Sequence, residues 1–124
     1  MCVKILIVES NLVNQKVICY FLEGLGYSCD VVATGAQTLQ AVNKQPYGLV
    51  FMNLNISNMD GCQTATFMRE VGFTMPIIAI ATEDIPDDLR KCVQESMNDC
   101  LTKPFMNSDF RFVLNRYLRQ DGDW

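Results

Sequence analysis

Three short runs constrain this chain most: Ile5-Leu6-Ile7-Val8, Leu49-Val50-Phe51-Met52 and Ile77-Ile78-Ala79-Ile80-Ala81. Each is apolar at every position and too short for a buried helix. Such runs, bounded by turn formers and rich in β-branched residues, are strands covered on both faces. A strand covered on both faces needs helices above and below a parallel sheet, and the segments between the runs carry helical spacing.

The first strand, Val3 to Val8, ends at Glu9-Ser10-Asn11, where Ser10 or Asn11 caps a helix. Val17, Ile18, Phe21, Leu22 and Leu25 are its apolar positions, and Gly24 and Gly26 stop it. Tyr27 to Val32 is a more polar strand nearer a sheet edge, and a helix over about 36–45 follows, with Leu39 and Val42 inward and Gln45-Pro46 closing it. The third strand stops abruptly at Asn53, and Asn53 to Asp60 holds three Asn, one Ser and one Asp, all turn or cap formers. Gly61 to Glu70 is a helix with Ala65, Phe67 and Met68, and Met75-Pro76 leads into the fourth strand, Ile77 to Ala81. Pro86 suits the first turn of a helix with the stripe Leu89, Cys92, Val93 and Met97. Asp99 to Thr102 is a fifth strand ending at Lys103-Pro104. The last helix points Phe110, Val113, Leu114 and Tyr117 inward and Arg111, Arg116 and Arg119 outward. Five strands alternating with five helices, joined by right-handed crossovers, make a doubly wound α/β sheet of (βα)5 type. The chain reads as one domain over 1–124, with its core at 3–119 and a frayed tail at 120–124.

Composition excludes several classes of function. The formal charge is −4 with no basic stripe, which argues against nucleic-acid binding by this domain alone. No apolar run approaches the length of a membrane span, and Met-Cys-Val-Lys-Ile-Leu-Ile-Val lacks the features of a signal peptide, so a cytoplasmic location is expected. There is no His, which removes the usual general base for Ser or Cys nucleophiles. The six Cys form no Cys-x-x-Cys pair and no zinc pattern, and they read as small core residues in a reducing compartment.

Ligands gather at the carboxyl ends of the strands in an open α/β sheet. Glu9 and Ser10, Asn53 and Asn55, Ala81 and Thr82, and Lys103 with Pro104 follow strands one, three, four and five. Asn53 can hydrogen-bond but cannot serve as a carboxylate nucleophile.

Taken together, Ile5-Leu6-Ile7-Val8-Glu9-Ser10-Asn11 with Asn14, Phe21-Leu22-Glu23-Gly24-Leu25-Gly26-Tyr27, Gly35, Phe51-Met52-Asn53 with Met59-Asp60-Gly61, Pro76-Ile77-Ile78-Ala79-Ile80, and Met97 to Phe105 carry a resemblance. Over residues 3 to about 118 the chain resembles the receiver domain of two-component response regulators, most of all those of hybrid histidine kinases. The resemblance implies a flavodoxin-like, CheY-like sheet with strand order 2-1-3-4-5. It also implies a signalling module of a phosphorelay, not an enzyme. Position 53 would be the Asp that accepts a phosphoryl group, positions 9 and 10 two acids that hold Mg²⁺, and position 81 a Thr or Ser that follows the phosphoryl group. Position 100 would be a mobile aromatic, position 103 a Lys facing the acids, and Pro104 a cis proline.

Glu9 and Lys103 fit that pattern, whereas Asn53, Ser10, Ala81 and Cys100 depart from it, with Thr82 beside Ala81. Losses that fall together on one mechanism describe a degenerate pseudo-receiver. Phosphoryl transfer needs an ionised carboxylate in line and Mg²⁺ to offset charge. Here Glu9 holds Mg²⁺ weakly at most, and Lys103 is expected to pair with Glu9 or to hydrogen-bond Asn53. The expected function is phosphorylation-independent binding of a protein partner, a sensor histidine kinase or another domain of a hybrid kinase. The expected surface is the fourth helix, fifth strand and last helix, with Arg90, Lys91, Arg111, Arg116 and Arg119; a homodimer through it is allowed. Two alternatives are phosphoryl acceptance at Asp60 or Ser57, and a small flavodoxin-like cofactor binder. Asp60 equally suits a helix cap, and no Gly-x-Gly-x-x-Gly follows a strand.

Overall fold

Runs apolar at every position bury completely once helices cover both sheet faces, and that governs the observed architecture. The computed structural model describes residues 3–54, 61–81, 85 and 87–118. Its elements run β1 (Lys4–Val8), α1 (Leu12–Gly24), β2 (Ser28–Val32), α2 (Gly35–Lys44), β3 (Leu49–Asn53), α3 (Gly61–Glu70), β4 (Ile77–Ala81), α4 (Asp87–Ser96), β5 (Asp99–Thr102) and α5 (Asn107–Tyr117). The strands pair in parallel in the order β2-β1-β3-β4-β5. The expected fold class and strand order are therefore those found. No helix among the described residues is long and apolar enough to cross a membrane.

Strand alternation divides one apolar set between two cores. Leu6, Val8, Val50, Met52, Ile77 and Ala79 face one way and pack with Val42 of α2, Ala65 and Met68 of α3, and Met97. Ile5, Ile7, Leu49, Phe51, Ile78 and Ile80 face the other way, toward Ile18 and Leu22 of α1 and Phe110, Val113 and Leu114 of α5. The Phe110 ring anchors the second core, edge-on to Phe51 at 5.5 Å and stacked on Phe21 at 5.2 Å.

Local chemistry adjusts some expected positions. α2 starts and ends one residue early because the Thr34 hydroxyl accepts from the Gln37 N–H at 3.1 Å and fixes the cap. Val17 lies outside the core at 39% exposure, together with Leu12, Val13 and Tyr20, because Ile18 and Leu22 already fill the stripe that α1 presents to the sheet. Met97 is buried but follows the end of α4. Arg119 and the tail at 120–124 lie outside the described residues.

The cysteines depart from expectation in one respect. Cys62 of α3 and Cys92 of α4 are joined as a disulfide with their Cα atoms 6.2 Å apart, while Cys19, Cys29 and Cys100 are free. The pairing arises because two helices lie side by side on one sheet face, a long-range contact that local patterning does not display.

One polar latch holds the amino-terminal edge of the sheet. Arg69 Nε donates to the Ser96 carbonyl, Nη1 to the Phe73 carbonyl and Nη2 to Asn98 Oδ1, each at 2.9 Å. Asn98 Oδ1 also accepts from the Ile77 N–H at 2.9 Å, and the Asn98 N–H donates to the Ile77 carbonyl at 2.7 Å. One guanidinium thus joins α3, the entry to β4 and the end of α4. Arg69→Ala is expected to cost about 2–4 kcal/mol, because it strands partly buried carbonyls. Arg69→Lys should recover less than half, since an ammonium cannot reproduce the fork. Urea unfolding midpoints check both, and a loss below about 0.5 kcal/mol for Arg69→Ala would refute the latch.

Candidate functional site

Strand ends alone bring the crevice residues together. β1, β3, β4 and β5 stop at one edge, where Glu9, Asn53, Ala81 and Lys103 line a cavity of about 180 Å³ with Ser10, Asn11, Asn14 and Ile80. A larger open groove of about 500 Å³ lies at the opposite sheet edge beside Pro46, Tyr47 and Phe73, but no acid is among the described residues that line it. The smaller crevice is the one at the carboxyl ends of the strands, where ligands gather in such a sheet.

Glu9 is 1% exposed and continues the β1 ladder, its N–H donating to the Val32 carbonyl at 3.0 Å. A buried carboxylate needs donors, and this one has them. Asn53 Nδ2 donates to Glu9 Oε1 at 2.6 Å, and the Asn11 N–H donates to Oε2 at 3.0 Å. The Asn53 amide must present its NH2 group here, because its oxygen at that distance would set acceptor against acceptor. Asn11 also caps α1, accepting the Asn14 N–H at 3.0 Å, and Gln15 Nε2 donates to the Glu9 carbonyl at 2.6 Å. Glu9 thus sits by the start of α1, where the helix dipole favours an anion.

The expected Glu9–Lys103 pair is not made. Among the described residues the one ion pair within 4.0 Å joins Lys4 to Asp30. Instead the Asn53 amide and the Asn11 N–H each donate to one oxygen of Glu9 and hold the carboxylate toward β3 and the start of α1. Lys103 is half-buried and lines the same cavity.

The remaining expected site residues fall as follows. Ser10 is exposed. Ala81 is buried, and its carbonyl accepts from the Lys103 N–H at 3.1 Å, so a methyl group stands at the end of β4. Cys100 lies opposite Ala79 on β5 and is half-buried; burial first, then Asp99, push its thiol up. The Lys103–Pro104 peptide bond is cis. Asn55, Ser57, Asp60 and Thr82 lie outside the described residues.

Sequence reasoning missed two parts of the site. Asn11 reads from the sequence as a helix cap, and its backbone N–H also serves Glu9. Gly61 reads as a helix start, and it has a packing role as well. A Cβ at Gly61 would fall on the Asn53 carbonyl oxygen and reach Leu54 Cα at 3.0 Å. The glycine therefore lets α3 pass against the strand end that carries Asn53. The Asp60-Gly61 dipeptide was the available signal.

The chain matches the model of the response regulator receiver domain over residues 5–115. The sensor histidine kinase RcsC of Escherichia coli strain K12 is 29% identical over 116 residues, covering 94% of this chain and 12% of the kinase. The chain thus spans about an eighth of that relative. The solved receiver domain of the sensor histidine kinase PA1611 from Pseudomonas aeruginosa PAO1, with a magnesium ion coordinated in its active site cleft, superposes with a TM-score of 0.87. It is 34% identical and covers 97% of this chain and all of that one. A CheY-like response regulator receiver domain from Methylobacillus flagellatus superposes with a TM-score of 0.85 at 25% identity, covering 94% of this chain and 99% of that one.

Proposed function

Because this chain belongs to the response regulator receiver domain family, we propose that it is a pseudo-receiver: a signalling module that acts through protein binding with its phosphoryl site silent. One observation carries the reading. The amide of Asn53, at the position the resemblance gives to the acceptor Asp, donates to Glu9 at 2.6 Å. An amide offers no carboxylate oxygen to accept a phosphoryl group. It also adds no negative charge beside Glu9 for a cation.

The described donor set does not fit Mg²⁺ well. Mg²⁺ favours carboxylates in octahedral geometry, and among the described residues Glu9 is the one acid lining the cavity. Binding at Glu9 is weak at most, and no step of the function runs through it. The buried Ala81 methyl and the Cys100 thiol supply neither the hydroxyl nor the aromatic that the resemblance associates with relay. The working domain of this reading spans residues 3–119, with 120–124 as a tail.

The partner class is a sensor histidine kinase or a neighbouring domain of a hybrid kinase. The face of α4, β5 and α5 presents exposed Arg90, Lys91, Arg111 and Arg116, with Phe112 59% exposed beside Arg116. Pull-down and calorimetry with histidine kinase catalytic and sister domains test the reading. The expected result is binding that is unchanged by Mg²⁺ and acetyl phosphate and weakened by replacing Arg111 and Phe112. Binding that appears only with a phosphodonor would reject it.

A further inference from the structure

The disulfide between α3 and α4 has no place in the crevice chemistry, yet it stands at a mechanically sensitive position. The Cα atoms of Cys62 and Cys92, 6.2 Å apart, fall within the span of about 4.4–6.8 Å that disulfides bridge. The two sulfurs can therefore join without moving either helix. Both residues are half-buried, so a small reagent can reach them.

α4 depends on this tie more than its neighbours would. Among its described side chains only Ser96, in its last turn, is buried, while Leu89, Cys92 and Val93 are half-covered. The Arg69 guanidinium holds the carboxyl end through the Ser96 carbonyl. The centre of the helix has the disulfide, with Thr66 Oγ1 3.8 Å from Cys92 Sγ. At the other end of the tie, Cys62 directly follows Gly61, whose backbone abuts the Asn53 carbonyl. The cross-link therefore runs from the first turn of α3, beside the end of β3, to the middle of a lightly packed helix.

We infer that Cys62 and Cys92 form a reversible thiol–disulfide site, oxidised by small-molecule disulfides of the glutathione class, that fastens α4 to α3 when oxidised and releases it when reduced. In the forward direction one protein thiolate attacks the reagent's S–S bond, forming a mixed disulfide and expelling one small thiol. The second protein thiolate then attacks the protein-side sulfur and expels the other. Two protein thiols lose two electrons and two protons, and the reagent leaves as two thiols. Burial pushes the Cys19, Cys29 and Cys100 thiols up, so each is a poorer thiolate than an ordinary exposed cysteine. The inference stands apart from the reading of Asn53, since it concerns a different pair of residues and a different reagent.

The test equilibrates the whole chain with reduced and oxidised glutathione at set ratios, alkylates under denaturing quench, and maps the labelled cysteines by mass. Hydrogen exchange of the native protein is followed in the same buffers. The expected result is cooperative loss of two alkylation sites, Cys62 and Cys92, as the oxidised fraction rises. Amide exchange in α4 should quicken about tenfold or more on reduction, with β1 and β3 unchanged. Cys62→Ser and Cys92→Ser should each hold α4 in the fast-exchanging condition in every buffer. The wild-type comparison stands even where a variant folds poorly. Alkylation of Cys62 and Cys92 in excess oxidised glutathione, pairing of Cys19 with Cys29 instead, or α4 exchange that ignores the redox buffer would each overturn the inference.

Discussion

Asn53→Asp should lower the stability of the metal-free protein by about 3 kcal/mol at neutral pH. The substitution removes the donor that serves Glu9 Oε1 at 2.6 Å and sets a second carboxylate in its place, with the site 8% exposed at residue 53 and 1% at residue 9. Two buried carboxylates that close cannot both ionise freely, so the pair must retain a proton in the folded state. The sign follows from linkage. The folded variant then binds more protons than the unfolded chain, so its deficit is absent below the ordinary carboxylate range, near pH 4, and grows as pH rises above it. Added Mg²⁺ should recover much of the loss, because the new pair restores an acidic donor set. Denaturant unfolding across pH, with and without Mg²⁺, reads all three effects. Equal stability of variant and wild type at pH 8 without metal would contradict the geometry assigned to Asn53. The same variant with Mg²⁺ and beryllofluoride should show shift changes around Glu9 and Lys103 that do not reach Cys100, since Ala81 and Cys100 still lack the hydroxyl and aromatic groups.

The second large effect is expected at Gly61. Gly61→Ala places a methyl on the Asn53 carbonyl oxygen, with Leu54 Cα and Met52 Cγ both at 3.0 Å. Two of those three neighbours are backbone of the strand end and cannot rotate away. The variant should lose about 2–4 kcal/mol, with the displacement falling on the segment that carries Asn53. Gly24→Ala is the control, because nothing lies within 4 Å of a Cβ there. It should leave stability level or slightly raised, since it ends a helix and narrows the unfolded ensemble. A Gly61→Ala protein as stable as Gly24→Ala would remove the packing argument.

The architecture was legible because its signal is local. Leu49 to Met52 is apolar at every position, and all of it is buried. Phe110, Val113 and Leu114 fall at helical spacing and meet the sheet together. The crevice was partly legible, since Glu9, Asn53, Ala81 and Lys103 each end a strand and a parallel sheet collects such ends. How they bond was not. An ion pair between Glu9 and Lys103 follows from opposite charge, but the structure gives Glu9 to an amide and a backbone N–H, because those donors are fixed by β3 and by the start of α1. The Cys62–Cys92 link and the Arg69 bonds to Ser96 and Asn98 stayed hidden because those partners lie 27 to 30 residues away. Such pairings depend on which helices lie side by side, and periodicity within one helix carries no record of that. Asn11 shows a related blind spot, since side-chain type foretold its cap but not the use of its backbone N–H.

Intact mass after incubation with Mg²⁺ and acetyl phosphate tests the silent site most directly. Wild-type protein should keep its mass, with Asn53 unmodified, under conditions that phosphorylate an active receiver run alongside. A phosphoryl adduct on the wild-type chain, lost in Asp60→Asn or in Ser57→Ala, would contradict the account and make this a working receiver with a displaced acceptor.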